Sequence, residues 1–217
     1  MKKKIIIDTD PAMGTKGGDP EDCFAIMLAM NSPELEVLGI TTVQGNVPVE
    51  RGYSNALYLV DKLDKNIPVH TGRPGTYDEN RNEKRKWLSD RDGMEQITPL
   101  VPLENDKKGA AKFITEIARE NSGEIELVTI GPLTNIAHAL DDDPDLSGHV
   151  SKITMMAGAA TVQGNVTPSA EFNVWADPES AAKVFASGIP IRMVPLDVCH
   201  KTRSVSYTHL TLPTIVG

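Results

Sequence analysis

Cysteine is scarce in this chain of 217 residues: Cys23 and Cys199 are the only two, and neither belongs to a C-x-x-C or zinc-type spacing. That scarcity excludes a disulfide framework and a thiolate metal site, and it reads as small apolar residues in a reducing cytosol. Positive charge is also in deficit, with 22 Lys and Arg against 30 Asp and Glu and a net charge of −8. Such a balance argues against a nucleic-acid backbone or an anionic membrane as the partner. Long apolar runs are missing too. Behind the basic start Met1 to Lys4 only Ile5 to Ile7 precede Asp8, too little for the core of a signal peptide, and nothing approaches a membrane span of ~20 apolar residues. The expectation is a cytoplasmic protein acting on a small molecule.

Strand and helix patterns alternate along what remains. Lys4–Asp8, Leu35–Thr42, Ile67–His70, Ile125–Ile130, Ile153–Ala157 and Ile191–Pro195 read as short buried strands. Between them, Pro20–Met30, Val49–Leu63, Gly109–Asn121, Leu133–Leu140 and Pro178–Ser187 carry helical spacing, with Asp19 as the N-cap of the first and Asp177 as the N-cap of the last. This alternation predicts an α/β fold with a mostly parallel, Rossmann-like sheet and helices on both faces. In such sheets the site lies at the carboxyl ends of the strands. The charged stretch Gly72–Leu103 reads as irregular loops. His70, His138, His149 and His200 fit no ligand spacing and read as structural or exposed. Ser204–Gly217 contains no charged residue and breaks the style of the chain; it reads as a non-native tail behind a single domain over 1–203.

The strongest chemical signal is acidic. Asp8 and Asp10 share one side of an extended strand end, and Glu21 and Asp22 enter from the first turn of the next helix. Carboxylates converging from two elements repel one another unless a cation lies between them. An oxygen-only set selects a hard ion, calcium or magnesium. The alternative is that Asp10 and Asp22 serve as caps and turn residues. The glycines at 14, 17 and 18 lack the Gly-Lys-Ser/Thr ending of a phosphate loop.

From Ile5 to Met13 and Asp19 to Met30 the sequence resembles the calcium-binding signature of the inosine–uridine nucleoside hydrolases, with a longer intervening loop and Glu21 where the family has Asp. Thr41–Asn46, Leu127–Asn135 and the block Met155–Gly158, Gly164–Asn165, Glu171–Asn173 resemble further motifs of that family. The likeness spans residues 4 to about 203. It implies the nucleoside hydrolase fold, incomplete at the carboxyl end, and calcium-dependent cleavage of ribonucleosides to ribose and free base in nucleoside catabolism and salvage. Asp10 would be a metal ligand and the general base towards a calcium-held water; Asp22 and the Ile130 backbone carbonyl would be further ligands, with Asp8 and Glu21 behind them. Asn46, Met156, Asn165, Glu171 and Asn173 would contact the ribonucleoside. The family's downstream His-Asp pair has no match, so the chain is expected to bind calcium weakly and turn over poorly. The full-length parent is expected to be a homodimer or homotetramer. Two other readings remain open: a haloacid-dehalogenase-like magnesium phosphatase, whose first strand also ends in Asp-x-Asp, and a non-catalytic nucleoside- or ribose-binding protein.

Overall fold

The computed structural model describes residues 2–13, 18, 20–78 and 99–202. The Asp19 cap, most of the irregular stretch after Gly72 and the tail from Ser204 lie outside the described residues. Six strands form one parallel sheet: β1 (Lys3–Thr9), β2 (Leu35–Thr42), β3 (Val69–Thr71), β4 (Ile125–Thr129), β5 (Val150–Met156) and β6 (Ile191–Val194), in the order β3-β2-β1-β4-β5-β6. The chain runs outward from β1 to β3 and then returns to the other side of β1 with β4. The topological switch therefore falls between β1 and β4, where the carboxyl ends open a crevice. The helices are α1 (Glu21–Asn31), α2 (Val49–Lys62), α3 (Ala110–Glu120), α4 (Thr134–Asp142), α5 (Leu146–His149), α6 (Phe172–Ala176), α7 (Pro178–Phe185) and α8 (Leu196–Cys199).

Both faces of the sheet are covered, which is why β1 is apolar without alternation. Ile5 and Ile7 pack with Cys23, Ile26, Tyr53 and Leu59 on the face of α1 and α2. Ile6 packs with Ile114, Leu127, Ile136 and Ile153 on the opposite face. The strand expected from Ile153 starts earlier, at Val150, and helix α1 begins at Glu21 with Pro20 in the cap position. Asp177 caps α7 as expected, accepting from the Ser180 N–H at 3.2 Å. Helices α5, α6 and α8 span five residues or fewer, too short to show a helical period. Among the described residues no helix is long and apolar enough to cross a membrane.

His70 proves structural. Its Nδ1 lies 2.8 Å from Asp106 Oδ1, its ring packs at a tilt against Phe113, and Asp106 also accepts backbone N–H groups from Thr71, Lys108 and Gly109. Burial pushes the Asp106 carboxyl up, but the His70 contact and these three N–H groups outweigh it and hold the group below its ordinary value. Its stabilising contribution is therefore present above the ordinary carboxylate range and lost as pH falls through the lowered value. Asp106→Ala leaves several donors without their acceptor; a loss of about 2 kcal/mol and about 4–8 °C in Tm is expected in a thermal melt.

Candidate active site

Alternation along β1 decides where each acid goes. Asp8 shares the face of Ile6 and reaches α4: its Oδ1 accepts from Asn135 Nδ2 at 2.7 Å and from Thr41 Oγ1 at 2.5 Å. Thr9 shares the face of Ile5 and Ile7 and reaches α1, where its hydroxyl donates to Asp22 Oδ2 at 2.6 Å. Asp10 follows the last strand residue; its backbone N–H donates to the same Asp22 oxygen at 3.0 Å, and its own Oδ2 accepts the Asn46 N–H. The expected convergence of four acids is thereby reduced. Glu21 stands on the exposed side of α1, and Asp8 is drawn aside by Thr41 and Asn135. Among the described residues no group of three or more His, Cys, Asp or Glu side chains is arranged to hold a metal.

What remains is a buried pair, Asp10 and Asp22. Asp10 is fully buried and Asp22 is 4% exposed. Burial, and then the charge of Asp22, hold the Asp10 carboxyl well above its ordinary value. Burial likewise pushes Asp8 up to about 7, against the downward pull of Asn135 and Thr41. Asp10 Oδ1 and Asp8 Oδ2 are buried with no hydrogen-bond partner. An orphaned anionic oxygen beside a second carboxylate, with only oxygen donors nearby, fits a hard cation.

Two glycines make room for Asp10. A Cβ on Gly45 would lie 1.9 Å from Asp10 Oδ2, and one on Gly131 would lie 2.8 Å from Oδ1. Gly45→Ala is expected to displace the carboxylate while leaving the sheet intact. Circular dichroism should stay unchanged while any metal or activity signal falls at least tenfold, since a misplacement near 1 Å costs up to about 10²-fold.

Gly131 also carries the site to the other expected residues. Asn173, on α6, donates its Nδ2 to the carbonyls of Ile130 and Met156 at 3.0 Å each and lies 3.3 Å from Met156 Sδ. The structure thus brings Asp10, Asp22, Asn46, Ile130, Met156 and Asn173 into one connected region. Glu171 sits at the start of α6, and its carboxylate is taken up by backbone: Oε1 by the Asn173 N–H at 2.8 Å, Oε2 by Gly158 at 2.9 Å and Val174 at 3.2 Å. It caps the helix that carries Asn173. Burial raises its carboxyl, and those N–H groups moderate the rise. Asn165 lies on an exposed loop, joined to the rest through its Oδ1, which accepts the Phe172 N–H at 2.8 Å.

Sequence reasoning passed over Asn135, Thr41 and Asn55. Asn135 also donates to the Thr42 carbonyl at 3.0 Å, and Asn55 donates from α2 to the Pro11 carbonyl at 2.9 Å, fixing the loop behind Asp10. The signal for Asn135 was its place directly after Gly131-Pro132-Leu133-Thr134, where a fully buried Asn must find partners.

The sequence profile of the inosine-uridine preferring nucleoside hydrolases matches residues 5–214. The chain belongs to that family. An uncharacterized protein of Schizosaccharomyces pombe is 42% identical over 206 residues, covering 91% of this chain and 62% of its own. A probable uridine nucleosidase of Arabidopsis thaliana is 38% identical over 206 residues, covering 92% and 61%. The solved structure of a plant nucleoside hydrolase superposes with a TM-score of 0.80 at 34% identity, over 93% of this chain and 62% of that one. The chain thus spans about three-fifths of the length of the relatives it matches. Membership in this family sets aside the haloacid-dehalogenase reading.

Proposed function

We propose that this nucleoside hydrolase family member, in its complete form, hydrolyses the N-glycosidic bond of ribonucleosides with calcium as cofactor. The observation that carries the reading is the buried Asp10–Asp22 pair with its orphaned oxygen, in the crevice at the switch point of the sheet. Asp10, Asp22 and the Ile130 carbonyl would hold calcium, which when bound supplies Lewis acidity towards water and an anchor for vicinal sugar hydroxyls. Asp10, raised by burial and by Asp22, takes the proton from the attacking water. The water oxygen bonds to the anomeric carbon and keeps one proton as the bond to the base nitrogen breaks; the base nitrogen leaves with the bonding pair and takes a proton from solvent, to which Asp10 returns the one it received. Asn46, Asn165, Asn173 and Met156 would line the sugar pocket, where the amide oxygens of the three asparagines would stabilise the positive charge that develops on the ring. Glu171 holds α6 in place and has oxygen lone pairs left for a sugar hydroxyl. The assembly expected of the complete protein is a homodimer or homotetramer.

Reducing-sugar release from uridine and inosine, with and without calcium, tests the reading. Calcium-dependent release supports it. If neither this chain nor a version carrying a relative's carboxyl-terminal segment releases ribose, while nucleosides still raise the Tm, the non-catalytic binding reading takes its place.

A further inference from the structure

Between β5 and α6 the chain leaves the sheet at Ala157 and returns at Glu171, and none of residues 158–170 is buried. A loop without an apolar anchor takes its position from hydrogen bonds. Its tip is closed by bonds of its own: the Gly164 N–H to the Pro168 carbonyl and the Val166 N–H to the Ala170 carbonyl, both 3.1 Å. These shape the tip without attaching it to the sheet. Attachment comes at the root. The Gly158 carbonyl accepts the Leu196 N–H at 3.0 Å, and its N–H donates to Glu171. Asp197, in α8, then takes two successive N–H groups, Ala160 on Oδ2 and Thr161 on Oδ1, at 2.9 Å each, together with the Thr161 hydroxyl.

We propose that Asp197 is a positioning residue for the candidate sugar site: its carboxylate fixes where the β5–α6 loop departs, and so where Asn165 and the start of α6 stand. The inference rests on the sugar-contact role given above to Asn165 and Asn173. The link from root to helix is explicit, because Asn165 Oδ1 accepts the first N–H of α6, that of Phe172. The chemistry suits a latch. The Thr161 hydroxyl and then the Ala160 N–H hold the Asp197 carboxyl at about 2, so it stays ionised across the working pH range as a charged acceptor for both amides. Ala160 and Thr161 are exposed, so removing the latch frees a loop rather than opening a core.

The experiment is amide hydrogen exchange on the 217-residue chain and its Asp197→Ala and Asp197→Asn variants, beside a thermal melt. In Asp197→Ala the Ala160, Thr161 and Phe172 amides are expected to exchange about tenfold faster, with Met155 in β5 unchanged and Tm nearly so. Asp197→Asn keeps one acceptor oxygen and should restore about half of the protection. Acceleration confined to Ala160 and Thr161, or none, overturns the inference. A second arm uses uridine with calcium: where the wild-type chain releases ribose, Asp197→Ala should raise KM about tenfold and change kcat less, and an unchanged KM overturns the inference. A wild-type chain that releases no ribose counts against the proposed reaction, while the exchange data still decide the latch.

Discussion

Asp10→Asn is expected to abolish ribose release and, in the presence of a chelator, to make the protein more stable rather than less. The loss of activity follows if Asp10 has the two roles proposed for it, general base and anionic ligand; removal of a general base alone costs about 10²–10⁴-fold. The gain in stability follows from the surroundings. Asp10 is fully buried, is held high by burial and by the charge of Asp22, and has one oxygen without a partner. Asparagine keeps an acceptor for the Asn46 N–H and adds an amide that can donate towards Asp22. We expect a gain of about 1–2 kcal/mol, or about 2–8 °C in Tm. The pH dependence has a definite sign. A carboxyl raised in the folded state contributes fully to stability below its ordinary pKa, and that contribution is lost as pH rises through the raised value. The advantage of Asp10→Asn should therefore vanish near pH 4 and grow towards pH 8. Melting curves in chelator decide it, and a lower Tm for the variant at pH 8 would mean that the Asp10 charge is already compensated.

Calcium titrated into the 217-residue chain is expected to bind weakly, with Kd of roughly 10⁻⁴–10⁻³ M. Calcium takes 6–8 oxygen ligands, and affinity follows the count of charged ones. Here two carboxylates and the Ile130 carbonyl are at hand, and that carbonyl already accepts from Asn173. No third acidic side chain joins them in a metal-holding group among the described residues: Asp8 is held by Asn135 and Thr41, and Glu21 is exposed on α1. Calorimetry at pH 7.5 is the measurement. A Kd near 10⁻⁷ M would show that the described ligands, water and the rest of the chain already complete the shell. Asp22→Asn should remove what binding there is.

The alternation of apolar segments sufficed for the sheet, because β1, β2 and β4 are buried on both faces and their apolar runs have no helical competitor. It failed for α6 and α8, which hold too few residues for a period and form because Glu171 caps one and Pro195 precedes the other. The acidic pair Asp10 and Asp22 was legible as chemistry, since capping needs one carboxylate and not a cluster. The placing of Asp8 was not. Strand geometry puts it on the side of Asp10, but the amide of Asn135, distant in sequence, draws it away. Glu171 illustrates the same limit: its residue type suggests a contact with substrate, and only the fold reveals three backbone N–H groups around it. Long-range hydrogen bonds leave no local pattern to read.

The Asp8–Asn135 bond joins residues 127 positions apart, and this separation sets a timetable for synthesis. Chains emerge from the ribosome amino end first, at about 5–20 residues per second. The acids of β1 and α1 are made at the outset, while the amides of Asn135 and Asn173 arrive many seconds later. Through that interval the carboxylates have only the early donors Thr9, Thr41 and the Asp10 and Asn46 N–H groups, and water must serve the oxygens these leave over. Their burial waits for β4 and α4 to close the switch point, so the crevice is completed late, after the half of the sheet from β1 to β3 has had time to form.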